Sequence, residues 1–191
     1  ILNEVNFLET IRQGLDFVEQ NDALLTLGIK PSRPETGYGY IQIADGDGSL
    51  RKVKTFTEKP NLELAKVFFE SGEFFWNSGI FLWNLQAIDS AFHELLPDIA
   101  ARFDGGKDVY GTDKEDNFIN EIYPSCENIS IDYGVLEKAS NVNVLCSDFG
   151  WSDLGTWGSL FDISPKDNGN NVTMRGIVEY YDAKDNVVAV P

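Results

Sequence analysis

The sequence has little of several residue types that common functional sites require. Its 191 residues include two cysteines, Cys126 and Cys146, and one histidine, His93. Two cysteines are too few for a disulfide framework, and they do not have a metal-ligand spacing such as C-x-x-C. His93 has no second histidine or cysteine near it in the sequence, and neither thiol has a neighbouring histidine that would make it a nucleophile. We therefore expect a reduced, cytoplasmic protein that does not use cysteine chemistry.

Basic residues and long hydrophobic runs are also scarce. The 15 lysines and arginines are outnumbered by 31 aspartates and glutamates, so the formal net charge is −16. A nucleic-acid partner requires a basic surface that displaces counterions from phosphates, and a membrane span requires about 18 consecutive apolar residues. The composition therefore argues against nucleic acid and membranes as partners. The acidity itself is typical of a soluble surface.

The hydrophobic pattern predicts an α/β fold. Apolar residues recur every three or four positions from residue 3 to 20, which indicates an amphipathic helix. The other predicted helices begin after Asn61 and Asn84 or cover residues 113–123 and 155–161. Predicted strands cover residues 23–29, 38–44, 52–57, 141–146, 176–181 and 187–190. Alternating strands and helices predict a mixed sheet with helices on both faces, with one segment over residues 1–165 and a C-terminal β segment over residues 166–191.

The first candidate site is Glu58 with Lys59, between a predicted strand and a predicted helix. A carboxylate at this position can accept hydrogen bonds from two vicinal hydroxyls, and an adjacent ammonium suits a phosphate. This pair is therefore suited to a sugar phosphate. Taken alone, the segment is more typical of an ordinary strand exit with Pro60 at the first helical position.

Asn77 and Asp153 are the next candidates. Asn77 interrupts an aromatic run, and its amide can both donate to and accept from a hydroxyl in a pocket, although a turn would also explain it. Asp153 lies between glycines at a strand-to-helix junction, where a carboxylate can be one of the few protein ligands that Mg²⁺ takes. Helix capping by Ser152 or Asp153 is the structural alternative.

Gly39 and Asp132 give weaker signals. Gly39 is one of two glycines at a strand start, where the backbone could approach a ligand closely, although hairpin geometry explains the pattern as well. Asp132 lies in the segment 130–134, where it could simply face solvent in the first turn of a helix.

Together these motifs resemble the sugar-phosphate half of the nucleotidyltransferases that make nucleotide sugars, and most closely the mannose-1-phosphate guanylyltransferase family. The resemblance rests on residues 28–41, 56–60, 76–81, 130–138 and 150–157 and spans nearly the whole chain. It implies a Rossmann-like sheet, the nucleotide-diphospho-sugar transferase fold. It also implies a reaction in which GTP and mannose 1-phosphate give GDP-mannose and pyrophosphate.

The resemblance implies a role for each candidate residue. Gly39 would offer its backbone to the sugar, Glu58 would bind sugar hydroxyls, and Lys59 would bind the phosphate. Asn77 would bind another hydroxyl, and Asp132 is grouped with the substrate-binding residues. Asp153 would hold Mg²⁺. Lys59 and Asp153 are therefore the expected catalytic residues.

The sequence also departs from the family pattern. The family's glycine-rich loop for the nucleotide triphosphate and its second metal-binding aspartate do not occur here. We therefore expect a chain that is truncated at its N-terminus, and at its C-terminus too, and that is inactive alone. A sheet edge exposed by the truncation would favour a homodimer. Two alternatives stay open: a transferase for another hexose 1-phosphate that uses UTP, dTTP or CTP, and a non-catalytic module that binds a sugar phosphate.

Overall fold

The computed structural model describes residues 1–190. The helices are α1 (Glu4–Gln20), α2 (Leu62–Ser71), α3 (Leu85–Leu95), α4 (Pro97–Asp104), α5 (Glu115–Ile122) and α6 (Trp157–Ile163). The strands are β1 (Leu24–Ile29), β2 (Tyr40–Ile43), β3 (Leu50–Thr57), β4 (Phe74–Leu82), β5 (Val142–Ser147), β6 (Val172–Arg175) and β7 (Val187–Ala189). A short 3-10 turn covers Tyr123–Ser125 and a π-helical turn covers Asp132–Leu136. Over the described range, none of the helices has both the length and the apolar character that crossing a membrane requires.

The chain forms two compact units. The first contains residues 2–149, and the second contains residue 1 and the residues from Gly150 onwards. Within the second unit, Trp157 and Leu160 of α6 line an apolar hollow together with Met174 of β6 and Ala189 of β7. α6 is thus in the same compact unit as β6 and β7, and the functional boundary at residue 165 stays a prediction.

The five strands of the first unit form one mixed sheet. Their order is β1-β4-β2-β3-β5, and it closes on itself because β5 pairs with both β3 and β1. The β1–β5 pair is parallel and the other pairs are antiparallel, so the predicted mixed sheet is confirmed. Within this sheet every strand has two neighbours. The sheet-edge argument for a homodimer therefore has no support in the first unit, and dimerisation stays a prediction.

Helices cover both faces of the sheet, as predicted. Adjacent residues of β1 point to opposite faces, and Leu24 and Leu25 are both fully buried. Leu25 faces α1, where a Cβ added to Gly14 would lie 3.1 Å from Leu25 Cδ2. Leu24 packs in the core that includes Ala91 of α3 and Val135 of the π-helical turn. The strand is buried on both sides, which explains its nearly continuous hydrophobic sequence.

Two helices begin at the asparagines that the sequence indicates. The side-chain oxygen of Asn61 accepts a hydrogen bond from the N–H of Leu64 at 2.9 Å, and that of Asn84 accepts one from Ala87 at 2.7 Å. Each bond satisfies a backbone donor that the first turn of a helix leaves unpaired. Gly72 ends α2 with a φ of 72°, the left-handed conformation that glycine adopts without strain.

The predicted C-terminal strand pair is wrong in its first member. β7 pairs in parallel with β6, at residues 172–175, and not with residues 176–181. The buried side chain of Asn171 fixes this arrangement, because its Nδ2 donates to the carbonyl of Ala183 and its Oδ1 accepts from the N–H of Asn186. The chain leaves β6 at Gly176, whose φ is 77°.

His93 joins α3 to α4. Its Nδ1 lies 2.9 Å from the carbonyl oxygen of Asp89 and its Nε2 lies 2.9 Å from Oδ2 of Asp104. Both partners are acceptors, so the imidazolium, which donates from both nitrogens, fits them best. The hydrogen bond to Asp104 is the main cause that raises the pKa of His93, and the bond to the Asp89 carbonyl adds to it.

This geometry predicts a pH-dependent contribution to stability. The pKa of His93 is higher in the folded protein, so protonated His93 stabilises the folded state. This stabilisation is complete below the unfolded-state pKa and is lost as the pH rises through the folded-state pKa. The melting temperature of His93→Gln should therefore fall further below that of the wild type at about pH 5 than at about pH 8. His93 is the single histidine of the chain, so NMR can follow its titration directly. Asp104→Asn should lower its pKa, and an unchanged titration would contradict the assignment.

Candidate functional site

Five of the predicted site residues lie together in the first unit. The sheet brings them together because β2 pairs with β3 on one side and with β4 on the other. Gly39 directly precedes β2, Glu58 and Lys59 directly follow β3, and Asn77 is in the middle of β4. Asp132 begins the π-helical turn and accepts a hydrogen bond from Asn77. We use the name acidic pocket for this cluster of five residues, which is defined by their contacts.

The Glu58 carboxylate packs closely against the backbone of Gly39. A Cβ added at this position would overlap Oε2 of Glu58 and would lie 3.3 Å from Cβ of Asn77. The Gly39 carbonyl also accepts a hydrogen bond from the N–H of Asn77 at 2.8 Å. The close approach that the sequence predicts at this glycine is therefore made by a side chain of the pocket itself.

Glu58 and Lys59 form an ion pair at the end of β3. Lys59 Nζ lies 2.8 Å from Glu58 Oε1, and the Lys59 and Glu58 side chains are 60% and 9% exposed, respectively. The hydrogen bond to Glu58, and then its negative charge, raise the pKa of Lys59. The N–H of Glu58 donates to Oε1 of Glu137 at 3.2 Å, which ties this turn to the end of the π-helical turn. The pocket thus combines a nearly buried carboxylate with an ammonium that reaches solvent.

Asn77 lies within β4, at a point where the strand is irregular. Its register with β1 shifts between Thr26 and Gly28, and Gly79 has a φ of 71°, so the local Asn77–Gly79 geometry of the turn alternative occurs inside the strand. Such irregularities bend a strand and redirect its side chains. Asn77 Nδ2 donates to Asp132 Oδ1 at 3.0 Å, while Asn77 Oδ1 accepts from the Thr26 hydroxyl at 2.9 Å and from the N–H of Gly79 at 3.2 Å.

Asp132 is half-buried beside Glu58, and not simply exposed in a first helical turn. Burial is the main cause that raises the pKa of Asp132, and the negative charge of Glu58 raises it further. The hydrogen bond from its own backbone N–H lowers the pKa, as do the hydrogen bond from Asn77 and the positive charge of Lys59. Two carboxylates held close together favour ligands that donate hydrogen bonds, such as sugar hydroxyls.

Two residues that contact the pocket were missed at the level of sequence. Thr26 is fully buried in β1 and donates to Asn77, and Glu137 accepts from the backbone of Glu58. A lone hydroxyl in the strand sequence LLTLGI was the available signal for Thr26. Glu137 lies within residues 130–138, but nothing local distinguishes it from other exposed glutamates.

Asp153 lies in the second unit, in a loop before α6. The N-cap of α6 is Thr156, whose hydroxyl oxygen accepts from the N–H of Ser159 at 3.0 Å, so the capping interpretation of Asp153 is wrong. A Cβ added to Gly155 would overlap Oδ2 of Asp153, so this glycine leaves the carboxylate room. No group of three or more His, Cys, Asp and Glu side chains within residues 1–190 is arranged to hold a metal ion.

A solved structure supports the fold assignment. The structure, named mannose-1-phosphate geranyltransferase from Thermus thermophilus, superimposes with a TM-score of 0.78 at 28% sequence identity. The match covers 98% of this chain and 56% of that chain. Together with the mixed sheet and the helices on both of its faces, this similarity confirms the predicted nucleotide-diphospho-sugar transferase fold.

Sequence relatives agree with the structural comparison. A protein named mannose-1-phosphate guanylyltransferase from Escherichia coli is 38% identical over 180 residues, which cover 90% of this chain and 38% of that protein. A protein of the same name from Salmonella montevideo is 39% identical over 190 residues, which cover 94% of this chain and 40% of that protein. The chain thus spans about two fifths of the length of these curated relatives. The family described as Nucleotidyl transferase matches residues 4–170, and the chain belongs to that family.

Proposed function

We propose that the whole protein makes GDP-mannose and pyrophosphate from GTP and mannose 1-phosphate, and that the acidic pocket binds the sugar phosphate. A phosphate oxygen of mannose 1-phosphate would attack the α-phosphorus of GTP, and the bond from that phosphorus to the leaving pyrophosphate would break. The observation that carries the proposal is the contact of Glu58 with Lys59 beside Asn77 and Asp132. The names of the relatives point to the same substrates.

The four pocket residues that carry polar side chains each have a chemical task in this proposal. The carboxylates of Glu58 and Asp132 accept hydrogen bonds from sugar hydroxyls, and the Asn77 amide keeps Asp132 in place. The Lys59 ammonium pairs with the phosphate. Its side chain is 60% exposed, so it can turn from Glu58 towards a ligand in solvent. A carboxylate that stays nearly buried and a cation that moves suit a neutral sugar ring joined to an anionic phosphate.

The transfer itself requires alignment and charge neutralisation, and no protein nucleophile. Asp153 is the residue we propose for Mg²⁺. Its carboxylate is a ligand type that Mg²⁺ prefers, and it lies where a side chain on Gly155 would clash with it. When bound, Mg²⁺ would neutralise the negative charge that develops on the phosphates. One carboxylate is a partial ligand set, which suits an ion that keeps several waters and binds substrate phosphates.

Asp153→Asn should raise the Mg²⁺ concentration that gives half-maximal turnover of the whole protein by about tenfold or more, because a neutral amide is a weaker ligand than a carboxylate. A Mg²⁺ titration of pyrophosphate release from GTP and mannose 1-phosphate measures the change. Asp182→Asn is the matched control, since it removes an exposed carboxylate from the same unit. Equal Mg²⁺ requirements for the two variants would contradict the metal role.

Calorimetry with the 191-residue chain tests whether the acidic pocket binds a sugar phosphate. We expect binding of mannose 1-phosphate that is tighter than binding of glucose 1-phosphate or free mannose. No binding of mannose 1-phosphate would overturn the proposal, and equal binding of free mannose would indicate a carbohydrate-binding module. Pyrophosphate release by the whole protein then tests catalysis. GTP should be the preferred nucleotide, and a preference for UTP, dTTP or CTP would assign the protein to the transferases for another hexose 1-phosphate.

A further inference from the structure

Thr26 places a single hydroxyl in the middle of a hydrophobic strand. β1 has the sequence LLTLGI, all six residues are buried, and Thr26 is 0% exposed. Its hydroxyl lies 2.9 Å from Asn77 Oδ1 and 3.4 Å from the carbonyl oxygen of Ile80. A buried hydroxyl without a partner is costly, and valine would fill the same space without that cost. The contact with Asn77 therefore calls for a functional explanation.

The partners of Asn77 define how its amide is oriented. The N–H of Gly79 can only donate, so the atom 3.2 Å from it is the amide oxygen. The ionised carboxylate of Asp132 can only accept, so the atom 3.0 Å from it is the amide nitrogen. In this orientation the Thr26 hydroxyl donates to the same oxygen as Gly79, and its bond is the shorter of the two.

We propose that Thr26 is a positioning residue of the acidic pocket. Its hydroxyl holds the Asn77 amide in the orientation in which Nδ2 donates a hydrogen bond to Asp132. This hydrogen bond keeps the Asp132 carboxylate available as an acceptor for a sugar hydroxyl. The identity of the ligand rests on the proposed function. The series of hydrogen bonds from Thr26 through Asn77 to Asp132 rests on the described contacts. Thr26 itself acts through Asn77 and does not touch the substrate.

The charges around Asp132 explain why this hydrogen bond matters. Glu58, at the end of β3, is the negative group that opposes ionisation, and Lys59 is the nearby cation that favours it. On the π-helical turn, Tyr133 is the neighbouring titratable group, and Glu137 is engaged with the Glu58 backbone. Against burial and Glu58, the pKa of Asp132 is lowered first by the hydrogen bond from its own backbone N–H, then by the hydrogen bond from Asn77, and then by the charge of Lys59. If the amide loses its anchor, the pKa of Asp132 should rise, and the carboxylate should protonate at a higher pH.

Thr26→Val and Thr26→Ser test the proposal, because valine keeps the shape without the hydroxyl and serine keeps the hydroxyl. By calorimetry near pH 7, Thr26→Val should bind mannose 1-phosphate about tenfold more weakly than the wild type, which is the usual effect of losing one hydrogen bond in a network. The affinity of Thr26→Ser should stay within about threefold of that of the wild type. The affinity of the wild type should fall as the pH drops through the pKa of Asp132. In Thr26→Val this fall should begin at a higher pH.

An NMR titration of the Asp132 carboxyl carbon without any ligand provides an independent measurement. We expect a higher pKa of Asp132 in Thr26→Val than in the wild type, and rescue in Thr26→Ser. Unfolding in denaturant confirms that the variants are folded, and Thr26→Ala replaces Thr26→Val if the latter is not. Equal affinities and equal Asp132 titrations in the valine and serine variants would overturn the role of Thr26. If the wild type does not bind mannose 1-phosphate, the proposed function fails, whereas the ligand-free titration still decides whether Thr26 controls Asp132.

Discussion

Replacing Glu58 with alanine should weaken mannose 1-phosphate binding by about 1.5 to 3 kcal/mol, or roughly 10- to 150-fold, the usual cost of losing a hydrogen bond to a charged group. The expected loss is large because the Glu58 side chain is only 9% exposed, so water cannot easily replace it as an acceptor. The change also removes the ion-pair partner of Lys59, whose ammonium would then lose its orientation at the pocket. Calorimetry with the wild type and the variant measures the difference.

Two further variants separate the charge of Glu58 from its shape. Glu58→Gln keeps the size and one acceptor oxygen but loses the charge, so its affinity should lie between those of the wild type and Glu58→Ala. Glu70→Ala removes an exposed carboxylate from α2 and should leave the affinity unchanged. If folded Glu58→Ala protein binds mannose 1-phosphate as tightly as Glu70→Ala, Glu58 does not contact the sugar.

The positions of Glu58 and Lys59 could be predicted because their signals are local. A strand pattern that ends before Pro60, followed by a capping asparagine at residue 61, places both residues in the connection between β3 and α2. The same holds for the helix start at Asn84, which its own side chain caps. Local rules of this kind need only a few neighbouring residues.

The contacts inside the pocket could not be predicted, because they join distant parts of the chain. Asn77 is 55 residues from Asp132 and 51 residues from Thr26. A pattern of residue types gives no information on which of many polar side chains meet across a sheet. The resemblance to a family predicted Asp132 as a site residue, whereas the lone hydroxyl of Thr26 in its strand gave no indication that Asn77 is its partner.

The sequence pattern predicts a strand at residues 176–181 that the structure does not contain, and this error has a different cause. Apolar and β-branched residues there fit a strand pattern, but Ile177 is 98% exposed and Tyr181 is 80% exposed. β-Propensity reflects a fit to a half-buried surface, and this segment has no such surface in the second unit. The side chain of Asn171 decided the pairing through contacts with residues 183 and 186, which no periodic pattern contains.

The strand that anchors the pocket should also dominate the stability of the first unit. Leu24→Ala in β1 should lower the free energy of unfolding by about 2 to 5 kcal/mol, through lost burial and the cavity left behind. Leu24 is 0% exposed and packs among core residues of α3 and the π-helical turn, so the structure cannot easily close around a smaller side chain. Denaturation in urea, followed by circular dichroism, measures the loss.

Leu85→Ala is the matched control for this prediction, since it makes the same chemical change at a side chain that is 82% exposed on α3. Its effect should stay within about 0.5 kcal/mol, the usual range for surface substitutions.

The comparison also has a consequence for the pocket, because β1 carries both Leu24 and Thr26. If Leu24→Ala loosens β1, the Thr26 hydroxyl should hold the Asn77 amide less firmly, and mannose 1-phosphate should bind more weakly even where the protein is fully folded. Equal losses of stability for the two leucine variants would show that β1 is not the centre of the core.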